Sequence, residues 1–156
     1  MKDAKLVDHL TTAKQLAACA PHDVIAEVMK DFRSHCVNVT KDGTGVSVMV
    51  YGNDRPVAKF SLTPVRGNAS ILVFHDAEIE EKLRGKGLGT AFHAVRLEWA
   101  ARYKASVVMC TVLDGNAAEH AILRRFEWIA GASTRNPQTG NHYTIYTRFV
   151  DYQDTV

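Results

Sequence analysis

The chain has 156 residues, the size of one ordinary domain, and its 46% hydrophobic and 23% charged residues are typical of a globular protein. A formal net charge of +2 is too small to indicate nucleic acid or a membrane surface as the partner. No stretch approaches the roughly 18 consecutive apolar residues of a membrane helix, and the first residues lead into no apolar signal segment, so neither is predicted.

Two helices are predicted before the first strand, over residues 1–35. Residues 3–19 carry apolar side chains at helical spacing, and Pro21 ends that pattern. Asp23 is suited to cap a second helix that runs through Ser34. Cys36 to Thr40 then has the content of a short strand.

Strands and helices alternate along the rest of the chain. Three successive strands are predicted to form an antiparallel meander: Val46–Tyr51, Val57–Leu62 and Ser70–Ile79. Apolar residues at helical spacing indicate a helix from Gly87 to about Tyr103, whose buried face is Leu88, Ala91, Phe92, Val95 and Trp99. The remaining elements are the apolar strand Ser106–Val112, the helix Ala117–Arg125, and the strands Trp128–Ala132 and His142–Phe149.

A glycine-rich loop, Arg84 to Thr90, separates the third strand of the meander from the helix. Glycine permits positive φ and lets another molecule approach the main chain closely. The first turn of the helix adds unpaired N–H groups and a positive dipole end, which together form an anion site suited to phosphate. The spacing matches neither a P-loop nor the dinucleotide fingerprint, because both patterns, counted from Gly85, require glycine where the chain has Thr90.

The loop does match Arg/Gln-x-x-Gly-x-Gly/Ala, through Arg84, Gly87 and Gly89. It resembles the pyrophosphate loop of the GNAT superfamily of acyl-CoA-dependent N-acyltransferases. The preceding long strand, the following helix and the next buried strand extend the resemblance from roughly Val46 to Phe149.

The resemblance implies an α/β (α+β) fold with a mixed, mostly antiparallel central sheet. The sheet would have about six to seven strands and be flanked by about four helices. It would be splayed between the fourth and fifth strands. The whole chain, 1–156, is then one domain whose residues 70–128 form the acetyl-CoA-binding core. Many relatives begin with a strand, but Met1 to Val7 shows no convincing one, so that strand is missing or is replaced by Cys36 to Thr40.

Acetyl-CoA is the co-substrate that the resemblance implies. Its pyrophosphate would lie on the loop residues, and the backbone of the fourth strand would hold its pantetheine arm, with the N–H of Ile79 donating to the thioester carbonyl. Asn116 would contact the same arm, or else only cap the helix that it begins. The cofactor-binding residues are therefore Ala77, Ile79, Arg84, Gly85, Lys86, Gly87, Leu88, Gly89, Thr90 and Asn116.

A general base is expected on the fourth strand. His75 lies nine residues before Arg84, where several amine acetyltransferases of the superfamily carry a histidine. Its imidazole suits proton abstraction near neutral pH. Glu78 and Asp76 are alternatives, and a bulge in this strand would change which side chains share a face.

The general acid is where the sequence departs from the family pattern. Relatives often carry a tyrosine seven residues after the asparagine, and that position is Leu123 here. Tyr143 or Tyr146 could replace it, water could protonate the leaving thiolate, or catalysis could be absent.

Two functions follow from the resemblance: an N-acetyltransferase acting by direct transfer in a ternary complex, or a non-catalytic CoA-binding module with a regulatory or structural role. The acceptor would be a small-molecule amine or a protein amine, with no nucleic acid or membrane partner, and a homodimer is compatible with either function. Three widely spaced cysteines favour a reducing, cytoplasmic setting. No histidine or cysteine spacing indicates a metal site.

Overall fold

The computed structural model describes residues 29–42 and 45–150. Their strands are β1 (His35–Asp42), β2 (Gly45–Gly52), β3 (Arg55–Val65), β4 (Asn68–Ile79), β5 (Val107–Leu113), β6 (Ile129–Arg135) and β7 (His142–Phe149). Their helices are α1 (Leu88–Arg102), α2 (Ala117–Arg125) and a 3-10 turn at Glu81–Leu83. No helix within these ranges is long and apolar enough to cross a membrane.

The strands form one mixed sheet of seven, in the order β1-β2-β3-β4-β5-β7-β6. Every neighbouring pair is antiparallel except β4 and β5, which run parallel and are joined by a β–α–β connection through α1. The predicted meander is confirmed as β2, β3 and β4, and β1 adds a further antiparallel strand at the edge. A short β–α–β crossover explains the single parallel pair, since parallel neighbours need such a connection.

The prediction of about four helices is confirmed only for the two that follow the glycine loop. The second N-terminal helix was predicted to run through Ser34, which is wrong, because residues 29–34 form a turn closed by the Phe32 N–H and the Met29 carbonyl. The rest of both N-terminal helices, and the question of a strand at Met1 to Val7, lie outside the described residues. Cys36 to Thr40 is confirmed as part of β1.

The core lies where α1 and the sheet meet. Phe60 of β3 packs against Phe92 of α1 with ring centroids 4.6 Å apart, and both side chains are buried. Of the predicted buried face of α1, Val95 and Trp99 are only partly buried. His93 and Arg96, which lie outside that face, are buried at 1% and 4% exposure. A helix buried on several sides does not show the single stripe expected of a surface helix.

Candidate active site

A cleft opens in the sheet between β4 and β5. The two strands pair at only three positions, the last being Val73 with Met109, and they diverge beyond it. The opening has a volume of about 210 Å³. The predicted splay between the fourth and fifth strands thus coincides with a cavity. Its described lining is Phe74, His75, Asp76, Ala77, Glu78, His93, Arg96, Cys110, Thr111, Val112, Leu113, Asn116 and Glu119.

β4 carries a bulge at the start of this cleft. On β3, Ser61 pairs with His75 and Lys59 pairs with Glu78, so Asp76 and Ala77 together occupy the space opposite one residue. Asp76 adopts a positive φ of 54°, a conformation that aspartate tolerates better than most residues.

The bulge changes which side chains share a face of the sheet. Strict alternation would place His75 with Ile79 and set Glu78 on the other face. With the extra residue, Ile79 instead pairs with the buried Ala58, and its side chain approaches Gly89 of α1. His75 and Glu78 consequently share the face opposite α1, which is the shift that a bulge at this point was expected to cause.

Both ring nitrogens of His75 have partners. Nδ1 lies 2.8 Å from a carboxylate oxygen of Asp76, and Nε2 lies 3.1 Å from Oγ1 of Thr63 on β3. The carboxylate accepts only, so Nδ1 carries a proton and Nε2 of the neutral ring is an acceptor. Glu78, the alternative base, is exposed and forms an ion pair with Lys59 at 3.4 Å.

The main chain after the bulge offers a donor to the cleft. The N–H of Glu80 bonds the Val57 carbonyl of β3 at 2.9 Å. Because successive N–H groups of a strand point to opposite edges, the N–H of Ile79 points away from β3 and toward the gap. The carbonyl of Ile79 accepts from Nε of Arg84 at 2.9 Å, which fixes the start of the glycine loop to the end of β4.

The glycine loop leaves the first turn of α1 open. Gly85 and Gly87 have φ of 73° and 91°, so both adopt the left-handed conformation that glycine favours. Gly87 is the N-cap of α1, and no side chain caps the helix or places a carboxylate in its first turn. Lys86 is exposed in the same loop. Free N–H groups, the helix dipole and a cation therefore converge at one place, as in an anion site.

Asn116 sits at the opposite wall of the cleft, at the start of α2. Its Oδ1 accepts from the Glu119 N–H at 3.2 Å, so the residue is the N-cap of the helix. It also lines the cleft, so capping and a ligand contact are compatible in position.

None of the residues considered as general acids is among the described residues that line this cleft. Tyr143 lies on β7 opposite Leu113, and it is not among the described residues of the lining. Tyr146 is buried and its hydroxyl bonds Nδ1 of His120 at 2.7 Å. Leu123 has 0% exposure, so the position that carries tyrosine in relatives packs in the core here.

Sequence reasoning missed His93 and Arg96, which form the buried base of the cleft on the α1 side. A polar pair with i, i+3 spacing directly after a phosphate-type loop was the available signal, but it fell outside the predicted apolar face. The neighbouring thiol is inert, because burial raises the pKa of Cys110 to about 12.

No protein-family model matches the sequence, and no curated protein matches it. Solved structures are similar in fold. The ribosomal-protein-S18-alanine N-acetyltransferase from Escherichia coli is 12% identical with a TM-score of 0.60, over 71% of this chain and 72% of that one. An acetyltransferase of the GNAT family from Streptococcus pneumoniae is 13% identical with a TM-score of 0.61, over 71% and 70%.

An acetyltransferase from Bacillus subtilis in complex with CoA is 8% identical, with a TM-score of 0.58 over 76% of this chain and 100% of that one. At these identities the likeness shows the fold alone. The protein has the fold of GNAT acetyltransferases.

Proposed function

We propose that the protein is an N-acetyltransferase that moves an acetyl group from acetyl-CoA to a primary amine in a ternary complex. The observation that carries this proposal is the opening between β4 and β5, which begins just beyond Val73 and is lined by β4 as far as Glu78. The hydrogen bond from Arg84 to the Ile79 carbonyl joins the glycine loop to this end of β4. One structure of the same fold is a complex with CoA, which supports the choice of co-substrate.

The residues of the loop fit a pyrophosphate. The uncapped first turn of α1 supplies N–H donors, while the left-handed Gly85 and Gly87 keep side chains away from them. Lys86 adds a point charge. Acetyl-CoA supplies an activated acetyl group as a thioester, and the N–H of Ile79 is directed to stabilise negative charge on its carbonyl oxygen.

His75 is the proposed base for the ammonium of the acceptor. Asp76 holds Nδ1 at 2.8 Å and stabilises the positive charge that the ring gains when Nε2 takes a proton. The hydroxyl of Thr63 bonds Nε2 at 3.1 Å and must turn away first. The ammonium first gives one proton to His75, and the amine nitrogen then bonds to the acetyl carbon as the carbon–sulfur bond breaks. The nitrogen loses its second proton to water, and water returns one proton to the departing thiolate, so the products are the amide, the free thiol and protonated His75.

A non-catalytic CoA-binding module is the second candidate. It is favoured by the full burial of Leu123 and by the position of Tyr143 away from the cleft, since neither supplies a proton donor there. The two candidates share the CoA site and differ only in turnover.

The acceptor is proposed to be a small-molecule amine or a protein amine, in a cytoplasmic setting. The acidic side chains at the mouth, Asp76 and Glu78, would favour an ammonium group. The exposed free thiol of Cys36 is compatible with a reducing compartment.

The CoA site is tested with a matched pair of glycine substitutions. Gly85 and Gly67 have φ of 73° and 82°, and a Cβ added to either would meet no atom within 4 Å. Both Gly→Ala variants therefore carry a similar backbone strain of roughly 1–2 kcal/mol. Calorimetry with CoA should show at least about tenfold weaker binding for Gly85→Ala, equivalent to ~1.4 kcal/mol, and wild-type binding for Gly67→Ala.

Equal CoA affinity in the two variants and the wild type would refute the loop as the pyrophosphate site. If the wild type binds CoA, it is then incubated with acetyl-CoA and a panel of amines. Release of free thiol would indicate an acetyltransferase, and no release would indicate a non-catalytic CoA-binding module.

A further inference from the structure

The base of the cleft contains two buried polar groups that find no hydrogen-bond partner among residues 29–42 and 45–150. They are Nδ1 of His93 and Nε of Arg96. The two residues are 1% and 4% exposed, and both line the cleft. Because they are three residues apart on α1, they lie on the same side of that helix. A buried donor without an acceptor is costly, which makes this place unusual in a folded protein.

His93 presents a fixed donor. Nε1 of Trp128 donates to Nε2 of His93 at 2.7 Å, so the proton of the neutral ring is on Nδ1. Burial holds the pKa of His93 well below its usual range, and the charges of Arg96 and Arg148 lower it further. The ring therefore stays neutral, with its Nδ1–H unsatisfied.

Arg96 presents a buried cation. Its guanidinium carbon lies 4.8 Å from the ring centre of Phe74 and 5.6 Å from that of Phe60, so aromatic faces take the place of a counter-ion. Burial lowers the pKa of Arg96 and the charge of Glu119 raises it, but arginine keeps its charge in proteins. Within the described ranges, no carboxylate lies within ion-pair distance of this guanidinium.

We propose that His93 and Arg96 form a binding site for a carboxylate that enters the cleft with one of the two substrates. The proposal rests on the function proposed above. A carboxylate is acceptor-only and can take the forked donors of a guanidinium together with a further N–H. It would also neutralise a buried charge whose isolation costs free energy.

The distribution of charge along the cleft gives the ligand a direction. Asp76 and Glu78 are exposed at the mouth, whereas Arg96 is buried at the base. Glu119 is half-buried on α2 and also lines the cleft, and it is the acidic group whose charge acts on Arg96. An amine would therefore be held at the mouth and a carboxylate drawn to the base.

The carboxylate has two chemical sources. The first is the acyl group, if the thioester carries a dicarboxylic acid such as a succinyl group. This source agrees with the position of Arg96 on the same helix whose N-terminus forms the proposed pyrophosphate site. The second is the acceptor, if it is an amino acid or another amine that bears a carboxylate.

The acyl source is tested by calorimetry with succinyl-CoA, acetyl-CoA and CoA on three proteins: the wild type, Arg96→Met and Arg102→Met. Arg96→Met retains an unbranched apolar side chain against the two phenylalanines and removes the donors. Arg102 lies on the same helix but is exposed and paired with Glu98, so it is the matched control. The wild type and Arg102→Met should bind succinyl-CoA at least about tenfold more tightly than acetyl-CoA, and Arg96→Met should lose that preference.

The acceptor source is tested with acetyl-CoA and a panel of amino acids beside their amides. A carboxylate bound from this side would give a KM at least about tenfold lower for the acid than for the amide, and the difference would vanish in Arg96→Met. Thermal unfolding of each variant checks that it is folded, and Arg96→Gln, which also removes the charge, is used if Arg96→Met does not fold.

An Arg96-dependent preference in either arm supports the site. The proposal would be overturned if the wild type showed no preference for the carboxylate-bearing ligand in either arm. It would also be overturned if Arg96→Met kept the preference of the wild type. A wild type that binds no CoA at all would instead overturn the proposed function, so the two failures can be told apart.

Discussion

At the scale of single residues, the proposed role of His75 as a base depends on a backbone irregularity. The bulge at Asp76 places that carboxylate beside Nδ1 of its neighbour His75, although adjacent residues of a regular strand point to opposite faces. The arrangement requires a positive φ of 54° at Asp76, which strains the backbone there. The histidine is thereby oriented by a residue next to it in the sequence.

His75→Ala should lower kcat by roughly 10²–10⁴, because it removes the proposed base, while CoA affinity should stay near the wild-type value. Asp76→Asn should give a smaller loss, since it leaves the ring in place but removes the charge that supports it. Steady-state rates on a verified amine, with calorimetry alongside, provide the measurement. A His75→Ala enzyme within about twofold of the wild type would transfer the role to Glu78.

The residues of the loop could be identified from the sequence, whereas those at the base of the cleft could not. Arg84, Gly87 and Gly89 sit at fixed spacing in a local motif, and local spacing is visible in a sequence. His93 and Arg96 become a pair only when α1 is covered by the sheet on one side and by Phe126 and Trp128 on another. Burial of that kind comes from tertiary packing, which no periodicity in α1 encodes.

At the scale of elements, α1 is held between β4 and α2, and its first glycine lies at the point of contact. A Cβ built on Gly89 would lie 3.4 Å from Cδ1 of Ile122 and 3.5 Å from Cδ1 of Ile79. These are ordinary packing distances, and Gly89 has no positive φ. At Gly89 the space between helix and strand therefore limits the size of a side chain. At Gly85 and Gly87 the positive φ disfavours any side chain.

Gly89→Ala should raise the melting temperature slightly, since alanine favours a helix over glycine by about 0.5–1 kcal/mol, or ~1–4 °C for a chain of this size. Gly89→Ile should lower it, because a branched side chain would push α1 away from Ile79 and Ile122. Thermal unfolding compares the two variants with the wild type. A strongly destabilised Gly89→Ala would mean that the helix packs more tightly here than these distances indicate.

Most element boundaries from β2 onward were predicted within a few residues, since turn residues and apolar runs mark them directly. α2 and β7 have the predicted limits Ala117–Arg125 and His142–Phe149. The predicted helix end at Ser34 is wrong because hydrophobic residues at helical spacing, such as Met29 and Phe32, also suit a turn that packs on the sheet. There the Met29 side chain is fully buried.

At the scale of the whole molecule, the buried imidazole links stability to pH. The folded pKa of His93 is well below its usual range, while in the unfolded chain it returns to about 6.5. Below that pH the unfolded state binds a proton that the folded state does not, so the free energy of unfolding should fall as the pH drops from about 7 to about 5. The contribution is limited to about 1.4 kcal/mol per pH unit.

His93→Gln removes this titration and still offers Trp128 an acceptor, so its stability should depend less steeply on pH over the same range. Urea unfolding at about pH 7, 6 and 5 measures both slopes. Identical slopes would show that other groups, and not His93, dominate the acid sensitivity.

The sheet has two parts, one made of β1 to β4 and the other of β5, β7 and β6. β4 and β5 pair at three positions, and these pairs join the two parts. Within each part the neighbouring strands pair over most of their length. The sheet should therefore bend most easily between β4 and β5. A ligand bound in the cleft would contact both parts beyond Val73 and Met109, where β4 and β5 are no longer paired. A bound ligand would therefore make the sheet stiffer.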